Sequence, residues 1–134
     1  MKRNVLLVAW VVVAAIVVAT MGRGAEEKKT ATRGVEHVVV CWLKNHGDID
    51  ARQRVVEGTK GLRDIPGVRG VKVGVMLPGD RPVVDSTYDV AMVISFDDRK
   101  ALGEYVNHPI HQKLVKEVIA PLVEKYRVYD FEAE

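Results

Sequence analysis

The apolar positions of this chain come in blocks whose spacing changes from one to the next. Residues 5–18 form a run without a single charge, through Leu6, Leu7, Trp10 and Ile16. Residues 35–43 are again nearly all apolar, but the stretch is short and rich in β-branched valine, which favours a strand over a helix. Ala51, Val55, Leu62 and Ile65 then give a thin helical stripe, weakened by Gly58 and Gly61. Asp48 or Asp50 stands where a carboxylate can accept the first free N–H groups of that helix. Pro66-Gly67 ends it. Val71, Val73, Val75 and Leu77 alternate with Lys72, Gly74 and Met76, a strand with one apolar face.

Residues 78–87 contain Pro78 and Pro82 and read as a loop, after which residues 88–96 return to a near-continuous apolar strand. Asp97 or Asp98 caps a short helix through Tyr105, and Pro109 opens the next. Ile110, Leu114, Val115, Val118, Ile119 and Leu122 make the clearest amphipathic stripe in the chain, which Pro121 kinks or ends. Residues 127–131 supply the last strand. The order β-α-β-β-α-α-β, with right-handed crossovers, predicts an α+β, ferredoxin-like fold: a four-stranded antiparallel sheet with helices on one face.

The first and third strands are apolar on both faces, yet the helices cover only one. A strand buried on both sides needs a second layer, and a second copy of the chain is its natural source. The strand pattern therefore predicts a homodimer, two sheets closing into an α+β barrel, with Val38, Val40 and Trp42 candidates for the centre of the interface.

The first apolar block belongs to no strand or helix of that domain. Lys2 and Arg3 precede it, as in an export signal. The uncharged stretch 4–22 counts 19 residues, close to the ~20 that span a bilayer. Residues 1–22 are thus expected to be a cleaved signal peptide or a retained membrane anchor, and 23–34 a small, charged tether. Either outcome places the domain outside the cytoplasm, periplasmic, secreted or anchored, with membrane contact through this segment alone.

Charge narrows the partners. Without Lys2 and Arg3, 18 basic residues face 18 acidic ones, which gives no electrostatic reason to expect nucleic acid. Cys41 is the sole cysteine, so no intramolecular disulfide forms.

The candidate chemistry lies at Tyr105-Val106-Asn107-His108-Pro109-Ile110-His111. Proline at the first position of a helix breaks the run and aims side chains from two short helices at one volume. His108 is expected at the cap, His111 one turn in, and Tyr105 on the preceding turn. An imidazole titrating near neutrality can move a proton while a phenol polarises a carbonyl. The structural alternative is that His108 caps, Tyr105 packs and His111 braces the break. His108 and His111 alone supply too few ligands for zinc, so neither a metal nor a cofactor is expected.

Taken together, His37 in Glu36-His37-Val38, the segments Ile65-Pro66-Gly67-Val68 and Tyr88-Asp89-Val90, Phe96-Asp97, the helix break and the closing Val128-Tyr129-Asp130-Phe131 resemble the stress-responsive A/B barrel domain over residues 35–131. The resemblance implies a dimeric α+β barrel, and for many members a stress-associated or small-molecule-binding module without turnover. One branch resembles polyketide cyclases. Carried over, that likeness makes His111 the base and Tyr105 its phenolic partner, with His37 and His108 as binding residues and a small apolar or aromatic ligand. A more distant relation is to the dimeric-barrel monooxygenases.

Overall fold

Valine-rich segments take extended backbone and the capped, glycine-punctuated segments take helix, in the order that the spacing predicts. The computed structural model describes residues 33–134. Strand β1 (Val35–Leu43) leads to helix α1 (Ile49–Lys60) and a 3₁₀ turn (Gly61–Asp64). Strands β2 (Val68–Val75) and β3 (Val90–Phe96), helices α2 (Arg99–Val106) and α3 (Pro109–Leu114), and strand β4 (Val123–Glu132) follow. The segment 1–22 and most of the tether lie outside the described residues. Among those described, no helix is long and apolar enough to cross a membrane.

The four strands form one antiparallel sheet in the order β2-β3-β1-β4. Helices cover one face, where Val35, His37, Cys41 and Leu43 of β1 and Val90, Met92, Ile94 and Phe96 of β3 are buried. They pack on Val55 of α1, Leu62, Ile65, Ala101, Tyr105 and Leu114. At Gly58, costly in a helix interior, α1 lies against Leu114 of α3. A Cβ there would stand 2.6 Å from Leu114 Cδ1.

Four features differ from the sequence pattern, the first being that β3 begins at Val90 rather than at residue 88. β2 stops at Val75, leaving Leu77 81% exposed in the loop to β3. β4 starts at Val123 rather than 127, because pairing with β1 carries the polar residues Glu124 and Lys125 along an edge strand. The stripe after Pro109 is not a regular helix. α3 runs into a π-helical turn (Val115–Ile119) and a last short turn (Ala120–Leu122), so Leu114 is buried while Val115 is 38% exposed.

One polar node fixes the end of the sheet at the β1–α1 loop. Asp89, fully buried ahead of β3, accepts the N–H groups of Leu43 and Gly47, each at 2.9 Å, and Arg52 Nη2 at 3.0 Å. His46 Nδ1 lies 3.1 Å from Oδ2, the oxygen that also accepts the Leu43 N–H. Burial alone would raise this carboxyl, but the bonds from Leu43, Gly47, His46 and Arg52 outweigh it and hold it at about 2.

Residues paired across antiparallel strands share a face. The open face therefore carries Val38 beside Val93 and Tyr129, and Val40 beside Ala91 and Arg127. Trp42 sits at one end of this face rather than its centre. Its indole N–H donates to Thr87 Oγ1 at 2.9 Å, and Lys125 Nζ lies 4.5 Å from its ring.

Candidate functional site

A cavity of about 270 Å³ opens between the helix side of the sheet and the α2–α3 break. Its walls are mostly apolar: Val39, Cys41, Leu62, Met92, Leu114 and Ile119. Into it face His37 from β1, Tyr105 from α2 and His111 from α3. The break brings them together. His108 takes extended backbone (φ −71°, ψ 138°) and its Nδ1 accepts the Ile110 N–H at 3.2 Å, with Pro109 at the first helical position. Tyr105 on the last turn of α2 then lies with its ring centroid 4.5 Å from that of His111 and 5.7 Å from that of His37.

The hydrogen bonds fix both imidazole tautomers. His111 Nδ1 is 3.0 Å from the Val106 carbonyl, which can only accept, so Nδ1 carries the proton and Nε2 is left as an acceptor. His37 Nδ1 is 2.6 Å from Asp130 Oδ1, and donation to that carboxylate frees its Nε2 in the same way. Burial pushes His111 below the usual imidazole range; the Val106 carbonyl partly offsets this, and the nearby His37 lowers it further. Burial and His37 both favour the neutral ring, with Nε2 free to accept a hydrogen bond. Burial raises the Tyr105 phenol strongly, which keeps it a hydrogen-bond donor. The same burial pushes the Cys41 thiol up to about 11, which makes it an apolar wall rather than a nucleophile.

Among the described residues no buried polar side-chain atom lacks a partner, and burial alone perturbs the Tyr105 phenol, with no hydrogen bond contributing. Its hydroxyl therefore opens onto the cavity. Tyr105→Phe is expected to change stability by less than about 1 kcal/mol, since no protein hydrogen bond is lost. Thermal unfolding checks this. A loss of several kcal/mol would mean that the hydroxyl holds the fold.

His108 is not among the cavity's lining residues. It caps α3, at the break between Tyr105 and His111. Asp130 is the residue that the chain alone did not single out, because its contact with His37 spans 93 positions. The signal was present in the pairing of β1 with the closing segment, which sets His37 directly opposite Asp130. No cluster of three or more metal-binding side chains occurs among the described residues.

Fold and cavity together define a ferredoxin-like α+β domain with a pocket between sheet and broken helix. Residues 35–133 match the family described as the Stress Responsive A/B Barrel Domain, and the chain belongs to it. A protein of this family from Mesorhizobium loti, with a ferredoxin-like fold, is 29% identical with a TM-score of 0.60, covering 74% of this chain and 95% of its own. A hydroxynitrile lyase from Passiflora edulis is 18% identical with a TM-score of 0.66, covering 77% of this chain and 95% of its own. A dimeric ferredoxin-like protein of unknown function from Thermobifida fusca is 22% identical with a TM-score of 0.61, covering 75% and 91%. At those two lower identities the likeness extends to the fold. No curated protein matches the chain.

Proposed function

We propose that this chain is a dimeric module that binds a small, neutral, apolar carbonyl compound, and that His111 moves a proton on it. The observation that carries this is the convergence of two imidazoles and one free phenol on a single apolar cavity. The space suits a ring-sized molecule, since an apolar cavity of ~150 Å³ already takes benzene. Among the described residues no Lys or Arg lines it, so no permanent positive charge stands there for an anionic ligand. Tyr105 polarises the carbonyl oxygen, and His111 Nε2 takes a proton from the adjacent carbon.

Acetophenone in D₂O is a suitable probe. The protein should speed deuterium incorporation into its methyl group, and His111→Ala should abolish that while the domain stays folded. Unfolding on the same substitution would make His111 structural, the role that bracing the Val106 carbonyl offers it.

The dimer forms through the open sheet face, where Val38, Val40, Ala91 and Val93 are only partly covered and Tyr129 and Phe131 are 58% and 53% exposed. We read residues 1–22 as an export signal or anchor. Mass spectrometry of the native protein is expected to find it either trimmed near residue 22 or intact in the membrane fraction. Intact chain in the cytosol would refute both.

A further inference from the structure

The cavity has an apolar rim. Val106, Val115, Tyr126 and Val128 are each between 38% and 52% exposed and all line it. An apolar ligand seated there would close this entrance to water, yet a site that moves protons must exchange them with solvent. His37 and Asp130 offer another way through. The His37 side chain is 11% exposed and faces the cavity, whereas the Asp130 side chain, 2.6 Å away, is 47% exposed. Asp130 also lines a second hollow of about 280 Å³, on the far side of the pair, with Val35, Arg99, Leu102 and Glu132. Direct pairing of His37 with Asp130 across β1 and β4 holds the contact in place.

We infer that His37 and Asp130 form a proton port joining the ligand cavity to solvent along the helix-covered face of the sheet, separate from the ligand's own entrance. The inference rests on the proton-transfer reading of the cavity. His37 Nε2 takes a proton from a group in the cavity, giving an imidazolium beside the carboxylate. The Nδ1 proton passes to Asp130 Oδ1, and the resulting acid releases it to water in the second hollow. The ring is left neutral with its proton on Nε2, and the reverse sequence recharges the cavity. The other ionisable groups around the pair are Tyr105, His111, Cys41 and Tyr126 on the cavity side, and Arg99 and Glu132, paired with each other, on the hollow side.

Exchange of the His37 ring N–H with water, followed by NMR saturation transfer on the full chain, tests the port. Asp130→Asn keeps a hydrogen-bonding partner for Nδ1 but cannot carry a proton. Exchange should slow at least tenfold in that variant and recover in Asp130→Glu. With acetophenone saturating the cavity, exchange in the wild type should persist. Exchange that stops when acetophenone binds would place the route at the ligand entrance and overturn the port, as would an unchanged rate in Asp130→Asn. If acetophenone does not bind, the ligand reading fails, and the ligand-free comparison of the variants still decides the port.

Discussion

Replacing Asp89 by alanine is expected to cost about 3–5 kcal/mol of stability, the range for removing one partner of a buried charge pair. The substitution strands the N–H groups of Leu43 and Gly47 and leaves Arg52, its side chain 23% exposed, without its counter-ion. Against a total of roughly 5–15 kcal/mol, that loss brings the domain near its limit. Urea unfolding measures it, and a midpoint close to the wild type's would show that the node is dispensable. The acid limb gives an independent reading. The folded carboxyl, held at about 2, lies below its unfolded value near ~3.9, so its contribution is present above pH ~4 and is lost as pH falls through about 2. Asp89→Asn should flatten the fall in stability across that window.

The second large effect is expected at the open sheet face. Val38 sits on the central strand β1, between Val93 and Tyr129. In a two-fold dimer every interface residue appears twice, so Val38→Glu sets two unpaired carboxylates into an apolar interface. Each costs several kcal/mol, and every 1.4 kcal/mol is tenfold in affinity, so the dimer should weaken by about a thousandfold or more. The single chain is spared, because Val38 is only partly covered within it. Sedimentation should therefore show twice the chain mass for the wild type and a folded single chain for the variant. A wild-type monomer, or a variant dimer of unchanged affinity, would remove the sheet face as the interface.

Much of this architecture is legible in the chain because local chemistry enforces it. Pro109 suits the first position of a helix and not its interior, and the break it makes helps to position Tyr105 and His111. Valine runs and two-sided apolarity mark β1 and β3. Elsewhere the determining contacts are distant. Glu124 and Lys125 look like a loop until β1 offers them a partner. The π-helical turn follows no residue pattern, yet it sets Val115 and Ile119 at the cavity. Tyr88-Asp89-Val90 reads as the entry to a strand, and Asp89 becomes a node only once Gly47 and Arg52 fold back to it. Asp130 gains its partner through strand register, which one residue of slip would reverse.

The most direct test is where a neutral ring-sized ketone binds. In an NMR titration of the protein with acetophenone, the ring signals of His37, Tyr105 and His111 should shift together and saturate. Leu114→Trp, which fills the cavity, should abolish those shifts. Absence of saturable shifts at these three rings, or shifts confined to the open sheet face around Val38 and Val40, would contradict the cavity as the working site.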